Sequence, residues 1–102
     1  MSVQIVTNQN FESLKNQPKP VLIDFYADWC GPCRRVSPIV DEIADERTDI
    51  IVGKVNVDDE PALAGLFGIT SIPTLIVLKN GEVANQLTGA YPKARILEML
   101  EG

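Results

Sequence analysis

Residues 21–27, Val-Leu-Ile-Asp-Phe-Tyr-Ala, form a run that is apolar on both faces of an extended chain apart from one aspartate. A strand of that kind has no face to give to water, so it needs packed structure above and below it. The flanking sequence can supply both layers. Asn8 can cap a helix in which Phe11 and Leu14 share a face, and that helix has to stop before the Pro18-Lys19-Pro20 break. After a loop at Asp28 to Pro32, Val36, Ile39, Val40 and Ile43 recur at the spacing of one helical face, with Pro38 inside the pattern as an expected kink. Val3 to Val6 reads as a short first strand and Ile50 to Val57 as another buried one, carrying Lys54 as its own anomaly. Pro61 suits the first turn of a short helix running to Phe67. Thr74 to Lys79 and Val83 to Thr88 read as antiparallel strands joined at Asn80-Gly81, a dipeptide suited to tight hairpins. Pro92 opens a last helix that should bury Ile96, Leu97 and Leu100. Strands alternating with helices and then a hairpin predict an α/β chain with a mixed sheet covered on both faces.

The 102 residues, 45% of them hydrophobic, are enough for one domain spanning 1–102 with a packed core and no structural metal. A net charge of -5 argues against a nucleic-acid-binding face, which needs basic residues. The longest uncharged run, Pro61 to Leu78, is broken by Gly65, Gly68, Ser71 and Pro73, so no membrane role is expected. Met1 to Val6 shows neither a charged nor an apolar leader pattern, and the expectation is a cytoplasmic protein, monomeric by default. With no histidine, Cys-His and Ser-His catalysis are closed to this chain. A zinc site built on its two cysteines would need two carboxylates or a second subunit.

Trp29-Cys30-Gly31-Pro32-Cys33 falls at the junction between the apolar strand and the long helix. Thiols at this spacing close a small disulfide ring with little backbone motion, and Cys-x-x-Cys beside a strand-helix-strand pattern points to redox chemistry. Unpaired N–H groups and the positive end of the helix dipole favour a thiolate at Cys30, the expected nucleophile. Cys33, one turn inside, is placed to resolve the mixed disulfide that forms. Resolution needs a base. A desolvated Asp24 has a raised proton affinity and can take the Cys33 proton directly or through water. Lys54, on an adjacent strand, is the expected partner that offsets the cost of a buried charge. A purely structural Asp24–Lys54 pair stays open as an alternative, as do a static disulfide and half of a zinc site for the cysteines. Gly31 and Pro32 bear on direction: without a histidine between the cysteines, the dithiol should be a good reductant. Arg34 and Arg35 read as solvated helix surface and are given no catalytic role.

Together with Asp24-Phe25, Pro38, Lys54, Asp58, Ile72-Pro73-Thr74, Asn80-Gly81 and Gly89, in this order and spacing, the motif resembles the thioredoxin family over essentially the whole chain. The resemblance implies the thioredoxin fold, a central mixed five-stranded sheet flanked by about four helices, and a general protein-disulfide reductase. It implies a cis Ile72-Pro73 bond facing the dithiol, where the residues alone suggest a trans proline at a strand start, since only about 5–6% of X-Pro bonds are cis. It also implies that backbone beside Pro73 pairs with an extended target segment, within an apolar rim of Trp29, Gly31, Pro32, Ile72, Pro73, Gly89 and Ala90. On propensity alone Trp29 could be core and Gly89 a plain turn glycine. The implied partners are oxidised proteins with accessible disulfides and a thioredoxin reductase, with electrons coming ultimately from NADPH or ferredoxin. No bound cofactor is implied beyond the Cys30–Cys33 disulfide.

Tyr26 stands where many members carry a second tryptophan, and Arg34 where lysine is common. Trp29 is therefore the only tryptophan and a fluorescent reporter of its cysteine neighbour. A disulfide isomerase or oxidase on the same fold should carry a signal peptide and usually a histidine between the cysteines; neither is visible. The rival from another class is a module that only binds through the rim, and exchanging both cysteines for serine separates it from a redox protein.

Overall fold

In the computed structural model, which describes residues 3–101, the two-faced apolar run becomes β2 (Val21–Tyr26), the central strand of a five-stranded sheet. Around it the chain forms β1 (Val3–Ile5), α1 (Phe11–Lys15), α2 (Gly31–Glu46), β3 (Ile51–Asn56), α3 (Pro61–Leu66), β4 (Thr74–Lys79), β5 (Glu82–Thr88) and α4 (Lys93–Glu101). The sheet order is β1-β3-β2-β4-β5, with β1, β3 and β2 parallel and β4 and β5 antiparallel to their neighbours. The mixed sheet with helices on both faces is the predicted architecture.

Side chains alternate across β2, and each half of the alternation meets its own helices. Leu22 packs with Val36, Val40 and Ile43 of α2 and with Ile96, Met99 and Leu100 of α4. Val21, Ile23 and Phe25 face the other way, against Phe11 and Leu14 of α1 and Leu63 of α3. Full burial of such side chains contributes about 1.5–3 kcal/mol each, so the helices are held to the sheet mainly by these stripes. By the same parity Asp24 and its β3 neighbour Lys54 point to the α2 face. Gly53, between them and the opposite layer, is required by packing: a Cβ there would lie 2.5 Å from Val6 Cγ2.

The β4–β5 turn is the expected tight hairpin, with Lys79 paired to Glu82 and positive φ at both Asn80 and Gly81. Helix α2 continues unbroken through Pro38. Two expectations are corrected. Asn8 does not cap α1; its N–H donates to Glu60 Oε1 at 2.9 Å. A turn intervenes, in which Asn10 accepts from the Thr7 N–H and donates to Ile5 O, both at 2.8 Å, and the helix starts at Phe11. In α4 the fully buried third residue is Met99, while Leu97 is only half-buried, because the stripe facing the sheet follows 96, 99 and 100.

Candidate active site

β2 ends at Tyr26, and the chain turns through Ala27 to Trp29 before α2 begins at Gly31. Cys30 is the residue that caps α2: its backbone is extended (φ -85°, ψ 110°), and its Sγ accepts the N–H of Cys33 at 3.2 Å. Pro32 has no N–H to offer, which leaves Cys33 as the first-turn donor that reaches the cap. The two cysteines are joined as a disulfide, with Cα atoms 5.3 Å apart. Both are buried, Cys30 at 5% and Cys33 at 3% exposure, so they differ by position on the helix rather than by access. Once the bond is reduced, the sulfur at the cap sits where a first-turn N–H and the helix dipole favour negative charge; the sulfur one turn inside does not.

Opposite the dithiol, Ile72–Pro73 is cis, as the family resemblance implied, and Ile72 O lies 3.9 Å from Cys30 Sγ. Pro73 O accepts the Gly89 N–H at 2.9 Å, fixing the start of the β5–α4 loop to the proline loop. Gly89 has φ 119°, a backbone region that favours glycine. Trp29 is not core. It is 68% exposed and its indole N–H donates to Asp58 Oδ2 at 2.9 Å. Between Trp29 and Ile72 lies a shallow apolar groove of about 190 Å³, floored by Val57 and Ile69. Gly31, Pro32 and Ala90 are exposed and Pro73 is buried, so six of the seven rim residues keep some accessible surface and Pro73 contributes chiefly through its backbone.

Behind Cys33, a cavity of about 180 Å³ is lined by Tyr26, Ala27, Asp28, Cys33, Arg34 and Ser37. Asp24 sits one residue pair further down β2 on the same face, and its Oδ1 is buried with no hydrogen-bond partner. Burial pushes its carboxyl up to about 7; Lys54 pulls it down and Asp41 pushes it up, both by charge and both more weakly.

The direct Asp24–Lys54 pair expected from sequence does not form. Lys54 Nζ lies 3.1 Å from Asp41 Oδ1, an ion contact, and donates to Ser37 Oγ. Both groups come from α2, which passes over the lysine, so the ammonium has partners outside the sheet and leaves Asp24 unbonded. Ser37 and Asp41 were missed by the sequence reading. Their signal was available: 33, 37 and 41 follow one another at i, i+4 along one side of α2.

A helix-capping Cys-x-x-Cys disulfide, set against a cis proline on a mixed α/β sheet, defines a thiol–disulfide oxidoreductase. The comparisons narrow the class. The family model described as Thioredoxin matches residues 2–102. The chain is 50% identical over 102 residues to a thioredoxin of Pyropia yezoensis, covering 98% of this chain and 95% of that one. It is 44% identical over 97 residues to thioredoxin 2 of Chlorobaculum tepidum, covering 93% and 89%. Among solved structures, a mutant thioredoxin from Halobacterium salinarum superposes with a TM-score of 0.91 at 34% identity, covering 98% of this chain and 88% of that one. This chain belongs to the thioredoxin family, and its activity is the reduction of protein disulfides through the Cys30–Cys33 pair. Among the described residues, no helix is long and apolar enough to cross a membrane, and no group of three or more His, Cys, Asp or Glu side chains is arranged to hold a metal.

Proposed function

We infer that Cys30 is the attacking thiol of a general protein-disulfide reductase, Cys33 the resolving thiol and Asp24 its base. What carries this reading is the asymmetry of the pair: Cys30 Sγ is the cap acceptor of α2, and Cys33 lies one turn in, beside the cavity on the Asp24 face. The Cys30 thiolate attacks one sulfur of a target disulfide, forming a mixed disulfide and expelling a target thiolate. Asp24 then takes the Cys33 proton, through water in the cavity, and the Cys33 thiolate attacks Cys30 Sγ. The second target thiolate leaves, the Cys30–Cys33 bond forms, and two electrons have passed to the target. Lys54, held on Asp41, acts on Asp24 through its field alone.

Targets dock as extended segments on the rim of Trp29, Gly31, Pro32, Ile72, Pro73, Gly89 and Ala90, with Gly31 and Pro32 also setting the reducing direction. The oxidised pair is restored by a thioredoxin reductase drawing on NADPH or ferredoxin, so the protein is an electron carrier with no bound cofactor. A single domain over 1–102, acting as a monomer in the cytoplasm, agrees with a family match that spans the chain and with cysteines spent wholly on the exchanging pair.

Insulin disulfide reduction with dithiothreitol as terminal reductant tests the assignment. Wild type accelerates the reaction, Cys30→Ser abolishes the acceleration, and Cys33→Ser accumulates a mixed disulfide visible by mass. No acceleration by folded wild type would overturn the reading in favour of a module that only binds.

A further inference from the structure

A second hollow adjoins the rim and shares no residue with the Trp29 groove. It lies between α2 and the β5–α4 loop, measures about 210 Å³, and is lined by Arg35, Val36, Ile39, Ala90, Tyr91 and Pro92. Ala90 belongs to both the hollow and the docking rim, so a segment crossing Cys30 runs into it. We propose that this hollow is a second recognition subsite that takes an acidic side chain of the target, with Arg35 as the residue that selects it. The proposal rests on the disulfide-reductase reading and extends it to which targets are preferred.

The cationic side chains around the dithiol are already committed, with one exception. Arg34 donates to Asp28 O at 2.8 Å. Lys93, next to Pro92, is held by Glu42 and Glu46. Arg35 is exposed and makes no hydrogen bond or ion pair among the described residues. The chain carries 14 acidic residues, yet none of them engages this guanidinium. Its fork of donors is therefore open to a carboxylate from outside, in the two-point geometry that arginine favours. The wall beside it is apolar. Val36 is buried, and the Tyr91 ring, 41% exposed, stands across the hollow, giving the stem of a glutamate a dry surface and strengthening the charge contact.

The far flank has the opposite sign. Trp29 is tied to Asp58 there, with Asp28 and Asp59 exposed nearby in sequence. A target segment lying across Cys30 thus meets carboxylates at the Trp29 end and a guanidinium at the α4 end. The Gly89 N–H to Pro73 O bond holds the Ala90–Tyr91 wall in place against the proline loop, so the spacing between the attacked sulfur and the cation is built into the fold.

The test uses prereduced protein and synthetic peptides sharing one internal disulfide, in which a single Glu, Gln or Lys is walked through about three residues on each side of the attacked cysteine. Single-turnover rate constants, read by Trp29 fluorescence, are taken as ratios to the Gln peptide, so uniform effects cancel. At one position wild type should prefer Glu over Lys by about three- to tenfold, and Arg35→Glu should invert that order there. A preference that is the same at every position reports only the net charge of the chain and overturns the proposal, as does an order untouched by Arg35→Glu. Failure of the underlying reading shows differently, as no oxidation of wild type by the Gln peptide.

Discussion

Lys54 turns its ammonium to Asp41, 3.1 Å away on α2, while Asp24, its partner in the β2–β3 register, keeps a buried and unbonded carboxylate oxygen. The lysine therefore lowers the proton affinity of Asp24 only by its field, and burial wins, leaving the carboxyl near 7. Replacing Lys54 by Met removes the field and keeps most of the stem, so the Asp24 carboxyl should titrate higher still. Asp41→Asn should move it lower, because a repelling charge goes and the ammonium is released toward Asp24. Carboxyl-carbon NMR titration of oxidised protein reads both shifts; a shift of the same sign in the two variants would sink this account.

The same carboxyl couples stability to pH. Its folded value of about 7 lies above the ordinary 3.8, so between those pH values the native state holds a proton that the unfolded chain has lost. Stability is full below the unfolded value, falls as pH rises through the window, and is reduced by about 4 kcal/mol above the folded value, from a gap of about three pH units at 1.36 kcal/mol each. Urea unfolding of wild type should show this loss between about pH 4 and pH 7, and Asp24→Asn should abolish the Asp24 part of it. Equal slopes in the two proteins would mean that the group titrates normally in the fold.

Kinetics should follow the same group. Asp24→Asn leaves attack by Cys30 intact and deprives Cys33 of its base, so mixed disulfide should persist about 10²-fold or more longer near pH 7. The difference should shrink at high pH, where Cys33 ionises without help. Quench-flow trapping of the intermediate measures it, and unchanged lifetimes at neutral pH would remove Asp24 from the mechanism.

The fold was legible because β2 could be satisfied in one way only: Val21 to Tyr26 needed two covering layers, and the helical stripes at Phe11 and Leu14 and at Val36, Val40 and Ile43 were there to provide them. Cys30 and Cys33 were legible from spacing against a helix start. Less legible were features set by which surfaces meet. Whether Lys54 would reach Asp24 depended on α2 crossing above it with Ser37 and Asp41, and strand patterning holds no information about that crossing. Trp29 has the bulk of a core residue, and neither its 68% exposure nor the bond from its indole N–H to Asp58 is marked in the local sequence pattern. The cis state of Ile72–Pro73 came through family resemblance, and residue propensities alone pointed the other way.

The Trp29–Asp58 bond yields a separate expectation. Both groups are exposed, so Asp58→Ala should change stability by less than about 1 kcal/mol. It should loosen the indole, lower the fluorescence contrast between oxidised and reduced protein, and raise KM for insulin several-fold. An unaltered KM would mean that the orientation of Trp29 is irrelevant to docking.

Gly89 is where backbone conformation and docking meet. Its φ of 119° is a region that L side chains rarely occupy, and a Cβ there would sit 3.0 Å from Tyr91 Cε2. The contact can be relieved, since Tyr91 is at the surface and its ring can swing; the dihedral cannot while the Gly89 N–H stays bonded to Pro73 O at 2.9 Å. Gly89→Ala should therefore cost about 1–3 kcal/mol in urea unfolding, and adding Tyr91→Ala should recover only the smaller, steric part. The chain's other option is to give up the Pro73 bond and let the loop drift from the proline. In that case insulin reduction, which needs the whole rim, should lose more kcat/KM than reduction of a small aromatic disulfide, which needs only Cys30. Equal losses on the two substrates would show that the bond supports the fold without shaping the docking surface.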